Sequence, residues 1–594
     1  MKAATTARQT LIYDGDCGFC RTWVEYWKTL TGDRVRYVTI EASRSQFPDL
    51  PVEELRKKVH LVTPERVYSG AEAVFRTLGD SWLLSLYLRL PGFAAVTEFF
   101  YGLIAKNRGV AMTLTRLLWG KQVVRPDFSG AAMIFTRLLS FIYLLAFASA
   151  GTQIRGLIGS EGILPLGSFL PAVGAQLGPS AIWRVPTLFW LDHSDYALLA
   201  VCWGGVALAA VSIIAKPWGN WQRIVFAVLF VYYLSLVSAG QVFMGFQWDF
   251  LLLETGFLAI FLRPQRSRVW LFHLLLFRLM FESGAVKLLT GDASWHNLTA
   301  LSVHFETQPL PTPLAWYAHQ LPAWLLQAAT VVMFGIELIV PFFIFGPRRM
   351  KQFAAFAIAG LQVLILLTGN YTFFNILTIA LCVLLFDNRF WTLRWKLPQF
   401  PAKPASRAAS WALSIFIVGM SAISMAGVFT RLPQPLIALE AAESSFGLVN
   451  RYGLFSVMTT TRPEIEIEGS LDGEHWLPLK FRYKPGPLDR NGTWVAPFQP
   501  RLDWQMWFAA LGSTNDNPWI VPFLLRLLEG SKPVLALMDP GPFGDGAPKL
   551  IRGMVYQYRF TNWTERRATG DFWKRELKGA YFPPVGLRGK QTVQ

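Results

Sequence analysis

The chain has 594 residues, 53% hydrophobic and 15% aromatic, with 56 Lys and Arg against 39 Asp and Glu for a net charge of +17. Apolar residues at that level, gathered in long runs, exclude an ordinary soluble enzyme and predict a polytopic membrane protein, while the length allows several domains. The positive charge does not argue for nucleic acid, because it sits in alternate connections between the apolar runs, and no nucleic-acid motif, phosphate-binding glycine loop or fixed-period repeat accompanies it.

The segment to about Lys121 reads as α/β. An apolar strand, LIYD, runs through Asp14 and Asp16 into Cys17 and Cys20, and an amphipathic helix follows from about Arg21 to Leu30. A second strand, VRYVTI, a hairpin, VHLVTPERVYSG, and more helix complete the pattern. A C-x-x-C at a strand-to-helix junction puts Cys17 at a helix N-terminus, which favours a thiolate able to exchange disulfides. Asp14 and Asp16 work against this by raising the pKa of a nearby thiol. The same spacing fits half of a zinc site, but no second Cys or His pair stands at suitable spacing, so neither a metal nor a cofactor is expected. YDGDCGFC, VYSGAEAVFRTL and YGLIAKNRG together resemble the DCC thiol-disulfide oxidoreductase-like proteins over roughly residues 8 to 118. The resemblance implies a thioredoxin-like fold, with Cys17 attacking, Cys20 resolving and a thiol redox partner in the cytosol. No proline precedes the third strand, where thioredoxins present one to substrate. The opening MKAATTARQT lacks an apolar h-region, so a cytosolic N-terminus is expected.

Apolar runs near 131 to 150, 197 to 215, 223 to 243, 249 to 262, 269 to 289, 323 to 346, 352 to 369, 371 to 386 and 411 to 428 predict a helical membrane domain over residues 122 to 429, of about nine spans. The fourth and eighth are short enough to be re-entrant. Connections at Lys216 to Arg223, Arg263 to Arg268, Arg348 to Lys351 and Arg389 to Arg407 are basic. Thr290 to Pro322 carries no Lys or Arg, and Gly151 to Tyr196 only Arg155 and Arg184. The alternation predicts a cytosolic N-terminus and an extracytoplasmic segment after about Thr430.

The run from Val269 to His296 carries charges that are costly in hydrocarbon. Arg278 and Glu282 stand four apart on one helical face and can pair, and Lys287 points elsewhere near the helix end. An internal salt bridge with a snorkelling lysine competes here with a functional site. Gln241, Asp249, Glu254, Arg278, Glu282 and His296 form the expected polar cluster, placed with Lys287 to line one outward-facing cavity, while Glu337 falls toward the other side. FRLMFESGAVKLLTGDASWHN is similar to a stretch of vitamin K-dependent carboxylase-like membrane domains. That resemblance implies Lys287 as a base acting on a lipid or peptide, provided desolvation lowers its pKa. Cys202 and Cys382 fall inside predicted spans and read as small apolar residues.

A basic Pro/Ala linker, Pro401 to Arg407, leads to the last run. Beyond it, residues 430 to 594 predict an α+β domain: a hairpin about Asp472 and Gly473, two amphipathic helices, the strand IRGMVYQYRF, and an irregular remainder. FGLVNRYGLFSVMTTTRPEIEIEGS, FRYKPG, QPRLDWQMWFAAL and NPWIVPFLLRLLEG strongly resemble the lipase maturation factor family, from about residue 130 to Pro584. Membership implies an extracytoplasmic C-terminal domain that helps secreted lipases fold, with the bilayer and lipase-type clients as partners. Trp494, Trp504, Trp507 and Trp519 are candidates for client contact, although aromatic residues at helical spacing also build cores.

Overall fold

The computed structural model describes residues 9–79, 82–215, 220–262, 266–391, 405–544 and 546–587. Residues 216–219, 263–265 and 392–404, which are parts of the basic connections expected at Lys216 to Arg223, Arg263 to Arg268 and Arg389 to Arg407 and of the linker expected at Pro401 to Arg407, lie outside these residues. Two compact units emerge: the chain to Pro126 with Gly346–Gln352, and Asp127–Phe345 with the chain from Phe353 onward.

The first unit is built on a four-stranded sheet in the order β2-β1-β3-β4, with β1 at Gln9–Tyr13, β2 at Val35–Thr39, β3 at His60–Val62 and β4 at Val67–Ser69. β1 runs parallel to β2 and antiparallel to β3. Its apolar residues Leu11 and Ile12 are fully buried between helices, as a central strand requires. The helix Gly18–Thr31 leaves the C-terminal end of β1 and returns the chain to β2. C-terminal to the sheet, Leu83–Arg89 and Phe93–Lys106 form an apolar pair bent by 114°.

The second unit holds the membrane helices and the C-terminal sheet. Seven of the described helices are long and apolar enough to cross a membrane: Ser129–Gly151, Asp195–Ile214, Trp221–Ala239, Arg268–Leu289, Ala323–Phe345, Arg348–Thr368 and Trp411–Phe429. The total is up to eight if the bent pair of the first unit counts as one span. The expectation of about nine is corrected at the runs near 249 to 262 and 371 to 386. They fold as Gln247–Ile260, 14 residues, and Phe374–Val383, 10 residues. At 1.5 Å per residue these reach about 21 and 15 Å, short of the roughly 30 Å hydrocarbon layer. Their apolarity serves the core instead, since Leu251, Leu252, Leu377 and Leu381 are buried by neighbouring helices. The helix Arg266–Leu289 runs through the middle of this core, and 72% of its span is buried, far above the 22% of Arg348–Thr368 at the periphery.

The C-terminal part, expected to begin near residue 430, packs with the helical core as one unit. Its antiparallel sheet has the order β6-β5-β7-β8, from Arg462–Ser470 (β5), Leu477–Leu479 (β6), Leu550–Phe560 (β7) and Trp573–Gly586 (β8). The expected β5–β6 hairpin forms, and Gly473 supplies the left-handed residue of its turn at φ 88°. β8 corrects the expected irregular tail. It is an edge strand that tolerates Pro583 and Pro584, residues that argue against a strand when read without the sheet.

Candidate functional site

The charges expected to line one cavity, on the central helix and on Gln247–Ile260, do not gather there. They separate into three buried pairings, two of which fasten the C-terminal part to the membrane core. Arg278 is fully buried with Glu254 and Glu282. It donates to Glu254 Oε1 at 2.7 Å and Ser421 Oγ at 3.2 Å, and more distantly to Glu282 at 3.4 Å. Glu254, on the short helix Gln247–Ile260, is thus the closer partner, which spacing along one helix could not reveal. The remaining groups are met by the NRY of FGLVNRYG. Arg278 Nη2 donates to the Asn450 carbonyl, Asn450 N donates to Glu254 Oε2 at 2.9 Å, Tyr452 OH to the same oxygen at 2.7 Å, and Tyr452 N to Glu282 Oε2 at 3.0 Å. A buried charge persists only when its lone pairs and protons are satisfied this fully.

Asp249 belongs to a second clasp. Arg501 reaches both its oxygens, at 3.0 and 2.9 Å, and Tyr233 OH donates to it at 2.5 Å. Gln499, two residues before Arg501, accepts from Trp248 Nε1 at 2.6 Å and, through its carbonyl, from Gln153 Nε2 at 2.7 Å. QPRLDWQ therefore reads as a docking motif.

Three of the tryptophans proposed for client contact are part of this seam, a correction to that expectation. Trp504 is 3% exposed and packs edge-on against Trp248 at 4.8 Å. Trp507 is buried and donates to the Thr307 carbonyl at 2.9 Å, and Trp519 packs against Phe243. Trp494 alone of the four is open, at 56% exposure. Gln241 and His296 also leave the expected cluster. Gln241 donates to the Leu164 carbonyl at 3.1 Å, and His296 is exposed beside the Asp292 carbonyl.

Lys287 is the third pairing and a further correction, for it does not snorkel. It is buried against Glu337, with Nζ 2.9 and 2.7 Å from the two carboxylate oxygens and 3.1 Å from the Ser283 carbonyl. Glu337 was expected on the opposite side. The span Ala323–Phe345 holds a π-helical stretch, Gly335–Ile339, followed by a 3-10 turn, and the wider winding carries Glu337 to the Lys287 face. Gly284 makes the approach possible, because a Cβ there would lie 2.9 Å from Glu337 Cβ and 2.8 Å from Leu338. All three N–H groups of Lys287 are therefore engaged by Glu337 and the Ser283 carbonyl. The pair borders a cavity of about 610 Å³, lined also by Trp295, His304 and Tyr371. His304 stands 3.4 Å from Tyr371 OH. Burial, and then the Lys287 charge, push its imidazole down to about 4 and keep it neutral.

In the α/β unit, Cys17 caps the helix Gly18–Thr31, its Sγ accepting from Cys20 N at 3.4 Å. Asp14 Oδ1 accepts from Asp16 N and Cys17 N, while Oδ2 pairs with Arg108 at 2.7 Å. Arg108 thus offsets the carboxylate that the sequence sets against a Cys17 thiolate. Both thiols are free, and burial followed by the hydrogen bond to Cys17 pushes the Cys20 thiol up to about 12. Cys202 and Cys382 are buried within the helical core.

An α/β unit with a helix-capping C-x-x-C, followed by a multispan core clasped to a sheet-bearing C-terminal part, defines an integral membrane protein with a thiol-disulfide oxidoreductase-like domain. Family models agree part by part: the lipase maturation factor transmembrane domain matches residues 131–393, its C-terminal domain residues 448–583, and the DCC1-like thiol-disulfide oxidoreductase residues 11–113. Lipase maturation factor 2 of Gallus gallus is 34% identical over 585 residues, covering 76% of this chain and 81% of that protein. The Homo sapiens protein of that name is 34% identical over 596 residues, covering 78% and 83%. Lipase maturation factor 1 of Bos taurus is 32% identical over 515 residues, covering 77% and 90%. The chain belongs to the lipase maturation factor family. No solved structure matches it.

Proposed function

We propose that this protein is a membrane-held maturation factor for secreted lipase-type clients, carrying a thioredoxin-like domain that exchanges disulfides with a cytosolic partner. The observation that carries the reading is the similarity to lipase maturation factors 1 and 2 through both the membrane core and the C-terminal part. The two clasps support it, because they make the C-terminal part a fixed platform on the core, with Trp494 exposed for contact. The extracytoplasmic placement of that platform is supported along the helix Arg348–Thr368: Asn370, just beyond its C-terminal end, donates to the Thr493 carbonyl at 2.7 Å, whereas its basic residues stand at the start. The sheet order β2-β1-β3-β4 supports the thioredoxin-like reading of the N-terminal unit.

Co-expression with a secreted lipase tests the function. The wild-type protein should raise the activity per lipase molecule secreted, and an unchanged specific activity at equal protein level refutes it. Orientation is tested in a Cys17→Ser, Cys20→Ser background, where cysteines introduced at Lys106 and Glu474 should react from opposite sides of the membrane.

A further inference from the structure

The cavity beside Lys287 and Glu337, at about 610 Å³, falls in the ~300–1,000 Å³ range of small-molecule sites. Its composition is polarised. Lys287, Glu337, Ser283, His304 and Tyr371 bring polar groups to it near the end of the central helix, Tyr317, Gln362 and Thr368 also line it, and most of the remaining wall is leucine, isoleucine, valine, methionine and phenylalanine. The mouth opens through the flank of the helices. Leu325, Val332, Leu364 and Leu367 line the cavity and yet are 36%, 61%, 63% and 38% exposed. They belong to two helices of membrane-crossing length, so the opening faces the hydrocarbon layer. A molecule entering there comes from the bilayer.

The polar end selects its chemistry. Lys287 and Glu337 sum to no net charge, and the lysine's three N–H groups are spent on Ser283 and on Glu337. Each Glu337 oxygen accepts only from Lys287 and retains a lone pair. A floor with spare acceptors and no spare cation matches a head that donates hydroxyl protons. An anionic head would meet Glu337 with no spare cation to compensate it. We propose that this cavity binds an uncharged, hydroxyl-bearing acyl lipid of the monoacylglycerol type, its hydroxyls on Glu337 and its chain leading out through the leucine-lined mouth.

The test uses the full chain in phosphatidylcholine nanodiscs with a diazirine-bearing monoacylglycerol as photoprobe, and adducts mapped by peptide mass spectrometry. Labelling should map to residues 323–345 and 348–368, and be displaced by monoolein but not by oleate. Ile365→Trp, which fills the cavity from its apolar wall, should reduce labelling about tenfold, the scale of one lost interaction of 1.4 kcal/mol, with unchanged thermal stability. Glu337→Gln leaves Lys287 uncompensated, so the preference should invert and oleate should become the better competitor. Adducts spread over the whole apolar flank, equal labelling of Ile365→Trp, or equal displacement of the wild type by oleate and monoolein each overturn the proposal. Should Glu337→Gln fail to fold, the Ile365→Trp comparison and the wild-type competition still decide it.

Discussion

Replacing Arg278 by Met removes one cation from a site where two carboxylates and a backbone carbonyl depend on it. Glu254 and Glu282 are both fully buried, and the Asn450 carbonyl loses its guanidinium donor. Breaking a buried pair from one side costs about 3–5 kcal/mol, against a total stability of about 5–15 kcal/mol for a typical fold. The variant should therefore give little folded protein, seen as loss of the monodisperse peak in fluorescence-detected size exclusion and a lowered melting temperature. The geometry also ranks the partners. Glu254 lies 2.7 Å from Arg278 and accepts as well from Asn450 and Tyr452, whereas Glu282 lies at 3.4 Å and accepts from one Tyr452 amide. Glu254→Gln should thus destabilise more than Glu282→Gln, and Arg278→Met with Glu254→Gln should recover part of the loss of Arg278→Met alone. Equal melting temperatures for wild type and Arg278→Met, or Glu282→Gln as the more damaging change, refute the reasoning.

The other buried pair follows the same rule: Lys287→Met should lower the folded yield by leaving Glu337 unpaired, and Lys287→Met with Glu337→Met should restore part of it, as read by the same size-exclusion assay. Cys17 and Cys20 should form a reversible disulfide, with a two-electron transition in a glutathione titration that disappears in Cys20→Ser. Because Cys20 is pushed up to about 12, iodoacetamide should modify Cys17 first at pH 8, and Arg108→Met should slow that reaction. His304 stays neutral down to about 4 while its unfolded counterpart protonates near 6.5, so between these values the unfolded state binds the extra proton and stability rises with pH. Acidification from pH 6.5 toward 4 should cost up to about 3 kcal/mol at this residue, and His304→Gln should flatten that part of the melting-temperature profile.

Local chemistry made much of this protein legible before any coordinates. The strand, C-x-x-C and amphipathic helix from Leu11 to Leu30 announce an α/β redox-like unit, because a short apolar run and a cysteine at a helix start are local properties. Apolar runs of about twenty residues announced the membrane helices for the same reason. Asp472 and Gly473 announced a hairpin, since only the turn's own backbone decides it. What the residues could not declare is which apolar run lies in lipid and which in protein. Gln247–Ile260 and Phe374–Val383 look alike to a hydropathy reading, and only the packing around them shows their apolar faces spent on neighbours. The pairing of charges was hidden more deeply. Arg278 and Glu282 face each other by helical spacing, but the closer partner comes from 24 residues away and the clasp is closed by Asn450 and Tyr452. Lys287 finds Glu337 50 residues away because a π-helical stretch alters the helical period and Gly284 clears the space for it. Period, spacing and composition act over a few residues, whereas the desolvation of a charge is settled by whatever the tertiary fold brings against it, and in this chain those partners lie on other helices and on the C-terminal part.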